Sequence, residues 1–235
     1  PLWFTFSLLV FESVYLVFRL TTQFFGGTPR RYPLPSDRQI LLFIIGIGVF
    51  TFLFRQWQPL THGVYHLRLG YFPLYVCAFM FGVMARRSDW FANLSVAQAN
   101  RWFYVSLAAI ALMPVVMALN EMQGGDPYTF WGGLTWQCYA YAAWEPILFV
   151  GINMKLIVLF RDRFNVSTPL TRRMAKSSYT AYILHAFFIA VPTYLFTFFS
   201  LGRIPEIILM WPVAVIPCFL FADAIRRLPL LNRIL

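Results

Sequence analysis

The sequence predicts an all-α protein, a polytopic bundle of transmembrane helices. Residues of the set Ala, Val, Ile, Leu, Met, Phe, Trp, Tyr and Cys make up 60% of the 235-residue chain, against roughly 45–50% in soluble domains even with glycine counted. Charged residues make up only 12%, about half of the soluble average. A soluble globule could not hide so much apolar surface, and a disordered chain is excluded by the same numbers.

Seven apolar runs give this bundle its predicted spans. A helix needs about 20 residues to cross a hydrocarbon core of roughly 30 Å, and lipid cannot satisfy an open strand edge. The second and third runs are short, so we expect them to extend into their flanks or to cross where the bilayer is thin. In chain order, the runs are Leu2–Leu20, Ile40–Phe54, Tyr71–Ala85, Trp102–Leu119, Cys138–Phe160, Tyr179–Leu201 and Ile207–Ala224.

Helix starts can be predicted for three of the runs. Asp37, Ser95 and Ser177 precede the second, fourth and sixth runs, and their side chains are of the kind that caps a helix N-terminus. The aromatic stretch Tyr128–Trp136, ahead of the fifth run, is expected to lie at the membrane interface.

The charges between the runs predict the orientation. Arginines crowd the loops after the first, third and fifth runs and the tail after the seventh, whereas the loop after the fourth run carries Glu121 and Asp126 and no base. The positive-inside rule therefore places the C-terminus in the cytoplasm and Pro1 outside. Arg55 and Arg68, assigned to the outward loop after the second run, are exceptions. A chain that starts outside on a span indicates further helices upstream.

The net charge of +10 does not indicate nucleic-acid binding. The basic residues lie between apolar runs, as they do in the cytoplasmic loops of membrane proteins. We therefore expect a lipid bilayer as a partner and no nucleic acid.

Two carboxylates inside apolar runs are candidates for chemistry. Glu145 lies in the fifth run beside Pro146, and Glu12 lies in the first. A charged carboxylate in the membrane costs a few kcal/mol, so Glu145 is expected to face a water-filled cavity or a cationic partner. The structural alternative is a glutamate that only bonds a neighbouring helix or lies at the outer interface. We take Glu145 as a candidate catalytic residue.

A histidine in the sixth run is the other candidate catalytic residue. His185 shares a helix face with Tyr182 and Ser178. An imidazole changes protonation near neutral pH and can act as an acid, a base or a hydrogen-bond donor. Its structural alternative is a histidine that bonds across the bundle.

Three polar residues after the second run suggest a surface on the outer side. His62 and His66 would share a helix face, and Arg68 follows closely. A metal site is not expected, because no carboxylate or cysteine lies nearby and the three cysteines of the chain form no CxxC pair. We predict an acceptor-side binding surface at His62, His66 and Arg68, with a solvated loop as the alternative.

Arginines at two inner loops could hold a phosphorylated donor. Guanidinium groups match phosphate oxygens bidentately, and the candidate residues are Arg86, Arg87, Arg172 and Arg173. The alternative is that these residues only set the topology and contact anionic lipids.

Three stretches of the chain together resemble the acyltransferase-3 family of integral membrane acyltransferases. They are residues 1–4 (PLWF), residues 69–90 (LGYFP, then FMFGVMARR and a tryptophan) and residues 178–185 (SYTAYILH). The resemblance covers essentially the whole chain and is strongest to the glucan biosynthesis protein C branch.

The resemblance implies a single domain over residues 1–235, with seven helices present of ten. It implies an O-acyltransferase of the bacterial inner membrane that moves an acyl group, acetyl or succinyl, from cytoplasmic acyl-CoA to a carbohydrate hydroxyl on the outer side. No bound cofactor is expected beyond acyl-CoA as co-substrate. The family's principal base would lie upstream of Pro1, so the 235-residue chain alone is expected to be inactive. His185 and Arg86 match family positions without an assigned mechanism.

Two rival functions belong to other classes. A multi-pass transporter or flippase for a glycan or a lipid-linked substrate would suit the prolines within the spans and Glu145. A retinal protein would need a Schiff-base lysine within a span. The chain has Lys155, near the inner end of the fifth run, and Lys176, in a loop, while the final run has none, so this function is not expected.

Overall fold

The computed structural model describes residues 3–24, 31–61, 63, 67–198 and 202–227. Two short 3₁₀ helices, Leu69–Tyr71 and Pro127–Phe130, accompany the α-helices of this part of the chain. In order, the α-helices are α1 (Trp3–Phe24), α2 (Asp37–Trp57), α3 (Phe72–Arg87), α4 (Trp90–Asn93), α5 (Val96–Met122), α6 (Trp136–Arg163), α7 (Pro169–Phe196) and α8 (Arg203–Arg226).

Seven of these helices are long and apolar enough to cross a membrane. The prediction of an all-α polytopic bundle is therefore confirmed. The second and third spans do extend into their flanks, since α2 begins at Asp37 and the third candidate span covers Leu69–Arg87. Large apolar side chains such as Leu42, Leu112 and Leu220 are exposed on the helices, as lipid-facing side chains are.

The helix starts confirm one of the three predicted caps. Ser95 caps α5 and accepts a hydrogen bond from the backbone N–H of Gln98. Asp37 is wrong by one position, because Ser36 is the N-cap of α2 and forms a capping box with Gln39.

The prediction of Ser177 as an N-cap is also wrong. Thr168 caps α7, with Pro169 in the first turn and a reciprocal bond to Thr171. The stretch before Ser177 carries arginines and a lysine, which are good helix formers, so the helix continues back through it.

The chain divides into two compact units, Phe6–Asn165 and the combination of Pro1–Thr5 with Val166–Leu235. In the larger unit, α6 packs on α5 and on α2. Gly151 allows the closest approach, because a Cβ there would lie 2.0 Å from the Ser106 Oγ and 2.2 Å from the Trp102 carbonyl oxygen. In the smaller unit, α7 packs on α8 around the buried residues Ala181, Cys218 and Ala222.

Candidate functional site

A buried ion pair joins α2 to α6 in the larger unit. The Arg55 Nη2 donates to both carboxylate oxygens of Glu145, each at 2.7 Å. The Arg55 side chain is 0% exposed and that of Glu145 is 8% exposed. Glu145 thus faces the bundle interior and has a cationic partner, which was one of the two environments predicted for it. Arg55 lies in the last turn of α2 and not in the following loop, so its sequence assignment was wrong.

The Arg55 guanidinium lies between two aromatic rings. Its Cζ is 5.4 Å from the centre of the Tyr71 ring and 5.2 Å from that of Tyr141, distances at which a cation is attracted to an aromatic face. The two tyrosine hydroxyls are 3.4 Å apart. The Arg55 Nε donates to the carbonyl oxygen of Gly70 at 3.3 Å. We call Arg55, Glu145, Tyr71 and Tyr141 the buried polar centre.

The approach of the chain at Gly70 is too close for a side chain. A Cβ on Gly70 would lie 2.7 Å from the Leu60 Cδ2 and 2.9 Å from the Gln58 carbonyl oxygen. Glycine at this position therefore lets the backbone bring its carbonyl oxygen to Arg55 and places Tyr71 against the guanidinium.

Two buried polar atoms of α2, one of them on Arg55 itself, have no hydrogen-bond partner within the described ranges. Among the described residues, neither the Thr51 Oγ1 nor the Arg55 Nη1 has a hydrogen-bond partner. Thr51 is 1% exposed and lies one helical turn before Arg55. Because buried polar groups are normally satisfied, these two atoms keep an unused capacity for hydrogen bonds within the described part of the chain.

A cleft of about 640 Å³ is lined in part by α2, α3 and α6. We call it the apolar cleft. Ala78, Gly82 and Ala85 line it from one face of α3, and their small size makes the room. Phe149, one turn after Glu145, lines it from α6. The cleft is thus next to the buried polar centre along α6 and extends towards the end of α3 that carries Arg86.

Two polar side chains of the cleft, those of Gln98 and Trp90, are bonded to the protein. The Gln98 Nε2 donates to the Pro35 carbonyl oxygen at 2.9 Å and to the Asp37 Oδ1 at 3.1 Å. The Trp90 Nε1 donates to the Tyr32 carbonyl oxygen at 2.8 Å. These bonds leave a largely hydrocarbon interior.

The predicted phosphate-binding arginines divide between the two units. Arg86 is exposed at the end of α3, directly after cleft residues Met84 and Ala85. Arg87 is half-buried and donates to the Tyr15 hydroxyl at 2.5 Å. Arg172 and Arg173 are exposed in the first turns of α7, in the smaller unit. A common role for all four in binding acyl-CoA remains a prediction.

His185 lies in the smaller unit, half-buried on α7. Its Nδ1 is hydrogen-bonded to the Tyr182 carbonyl oxygen, and the Tyr182 ring stacks on the imidazole at 5.3 Å between centres. A carbonyl oxygen only accepts, so the Nδ1 carries the proton and a neutral imidazole leaves its Nε2 as an acceptor. The residue lines a cavity of about 260 Å³ with Ser178 from α7 and Cys218 from α8. Its catalytic role remains a prediction.

The remaining predicted residues have simpler environments. His62 and His66 lie outside the described residues. Arg68 is exposed, with its Cζ 6.0 Å from the centre of the Trp131 ring. Glu12 is exposed on α1. Within the described ranges, no three His, Cys, Asp or Glu side chains lie together as metal ligands would.

Arg55 was not predicted from the sequence as the partner of Glu145. The available signal was that both charges lie towards the same predicted side of the membrane, in runs that alternate in direction.

Comparison with known proteins finds no match for the chain among family models, curated proteins or solved structures.

Proposed function

We propose that the chain forms the helical core of a membrane-bound O-acyltransferase, which moves an acyl group from acyl-CoA to a carbohydrate hydroxyl. The observation that carries this proposal is the apolar cleft of about 640 Å³ beside the arginine-bearing end of α3. This volume is in the range of sites for small molecules and cofactors. The three stretches that resemble acyltransferase-3 proteins support the same class.

The proposed reaction uses the cleft for the acyl group and Arg86 for the phosphates of CoA. A base takes the proton of the acceptor hydroxyl, whose oxygen attacks the thioester carbonyl carbon. The C–S bond breaks, an ester C–O bond forms, and CoA leaves as a thiolate that takes up a proton. His185 remains the candidate acid or base that the sequence offers.

In this proposed function the two substrates approach from opposite sides of the bilayer. Acyl-CoA would enter from the cytoplasm at the Arg86 end of α3, in a bacterial inner membrane with the C-terminus of the chain inside. The glycan would approach from the opposite side, where α2 ends. The buried polar centre lies towards that end and would border the acceptor's path.

A transporter or flippase is the second candidate, and the buried polar centre favours it. Charged residues within spans commonly mark substrate pathways, and Arg55 and Glu145 form such a pair. A transporter of this kind has no need of acyl-CoA, so acyl-CoA binding separates the two candidates.

The test is acyl-CoA binding by the purified chain in nanodiscs, with empty nanodiscs as the blank. The ligands are radiolabelled acetyl-, succinyl- and decanoyl-CoA. We expect saturable binding of at least one, which Gly82→Phe weakens by about tenfold because the ring fills the cleft. A Cβ at Gly82 meets nothing within 4 Å, so the variant should fold.

The matched control is Gly46→Phe on α2. Gly46 is also an exposed helical glycine whose Cβ would meet nothing within 4 Å, and it does not line the cleft. Binding should be unchanged in this variant. If none of the three thioesters binds above the blank, the acyltransferase proposal is wrong.

A further inference from the structure

The size of the apolar cleft exceeds what a short acyl group needs. An engineered apolar cavity of about 150 Å³ holds one benzene ring. The cleft, at about 640 Å³, is roughly four times larger. An acetyl or succinyl group would leave most of this space unfilled, whereas a hydrocarbon chain of about eight or more carbons could occupy it.

The lining is matched to an uncharged ligand. The residues that line the cleft include neither an acidic nor a basic side chain among the described part of the chain. Asn153 donates from its Nδ2 to the Phe149 carbonyl oxygen at 2.7 Å, and the side-chain donors of Gln98 and Trp90 are also bonded to the protein. A succinyl carboxylate inside the cleft would be desolvated without a cation, which is unfavourable.

Arginines that neighbour cleft residues in the chain favour a ligand with an anionic head group. Arg31, Arg38 and Arg86 are exposed and directly neighbour cleft residues Tyr32, Gln39 and Ala85 in the chain. Arg31 is 80% exposed and only 3.6 Å from a carboxylate oxygen of Asp89, so part of its charge is balanced. Asp37, which accepts a bond from cleft residue Gln98, is itself paired with Arg101, so Arg38 and Arg86 add positive charge, which favours phosphate groups.

We infer that the apolar cleft binds a medium or long hydrocarbon chain whose head group carries phosphate. This inference rests on the proposed function in one respect, namely that the bound hydrocarbon chain belongs to a fatty acyl-CoA. The acyl group transferred is then of fatty-acid type, which differs from the acetyl or succinyl group that the family resemblance implies. The same chemistry could come from an anionic phospholipid of the bilayer, and the experiment separates the two sources.

The experiment measures affinity as a function of acyl length. Nanodiscs of phosphatidylcholine hold the purified chain, and acetyl-, succinyl-, hexanoyl-, octanoyl-, decanoyl- and dodecanoyl-CoA compete against labelled decanoyl-CoA. We expect the affinity to rise about fourfold for each added methylene until the cleft is filled. Succinyl-CoA should compete at least tenfold more weakly than hexanoyl-CoA. Empty nanodiscs correct for partition into lipid.

The cleft variant assigns the effect to this site. Gly82→Phe should flatten the dependence on length, while Gly46→Phe should leave it unchanged. An affinity that is independent of length in the native chain, or strongest for succinyl-CoA, would overturn the inference. A dependence on length that Gly82→Phe does not alter would overturn it as well.

A second arm tests the phospholipid source. The lipids that copurify with the native chain and with Gly82→Phe are quantified by mass spectrometry after purification from bacterial membranes. If no acyl-CoA binds and an anionic phospholipid is lost in Gly82→Phe alone, the cleft binds a lipid, and the acyltransferase proposal fails while the ligand chemistry stands. If neither ligand depends on Gly82, both fail.

Discussion

Replacing Glu145 with leucine removes both acceptors of the Arg55 Nη2 in a single step. The guanidinium is 0% exposed and cannot lose its proton, so it would remain charged and buried. Its remaining partners would be the Gly70 carbonyl oxygen and two tyrosine rings. Breaking a buried ion pair from one side typically costs about 3–5 kcal/mol, and we expect a loss of that size in the free energy of unfolding.

The double variant Arg55→Leu/Glu145→Leu should recover most of this loss. A buried pair replaced on both sides by apolar residues is commonly neutral or even stabilised. We therefore expect it to lie within about 1–2 kcal/mol of the native chain. Arg55→Leu alone should cost less than Glu145→Leu, because a buried carboxylate can take up a proton whereas a guanidinium cannot.

The assay is reversible unfolding in mixed micelles, with tryptophan fluorescence and circular dichroism followed together. Glu121→Leu, at an exposed position near the end of α5, is the matched control and should change stability by under about 0.5 kcal/mol. A cost below about 1 kcal/mol for Glu145→Leu, or additive losses of the two single variants in the double variant, would show that the ion pair does not stabilise the folded chain.

Three further predictions concern packing, polarity and topology. Gly151→Ala should destabilise the chain by about 1–3 kcal/mol in the same assay, since its Cβ would overlap the Trp102 carbonyl oxygen; an unchanged stability would show that α5 and α6 separate freely. Thr51→Val should cost under about 1 kcal/mol, because the Oγ1 has no partner among the described residues, and a larger loss would reveal a bond made in solution. In a chain without its native cysteines, single cysteines at Gln123 and Asn165 should react with an impermeant thiol reagent from opposite sides of the membrane; labelling from one side would refute the predicted orientation.

The helices could be predicted from the sequence because apolar residues make up 60% of the chain, more than a soluble domain contains, and they are grouped in seven runs. Their ends were less certain, since they depend on local hydrogen bonds. Ser36 rather than Asp37 caps α2 because Gln39 completes its capping box, and a run of hydrophobicity does not report that. The start of α7 was missed because its first turns are charged. The predicted apolar run begins only after these charged residues.

The site was predictable in part. A carboxylate in an apolar run indicated a buried partner for Glu145, but the identity of that partner depends on which helices are neighbours. The apolar cleft left a weaker signal, the small residues Ala78, Gly82 and Ala85 at helical spacing on α3. Such spacing also occurs where helices pack closely, so the sequence alone could not distinguish a cleft from a contact.

The Arg55–Glu145 pair has a consequence for how the helices reach their final positions while the chain is being synthesised. The partners are 90 residues apart, so α2 leaves the ribosome long before α6 exists. Until then Arg55 has no carboxylate partner within the bundle, and its position in the last turn of α2 lets the long side chain reach the head-group region. Insertion of α6 delivers Glu145 and allows the guanidinium to be drawn inward between the tyrosine rings. The ion pair thereby links the final position of an early helix, α2, to the insertion of a late one, α6.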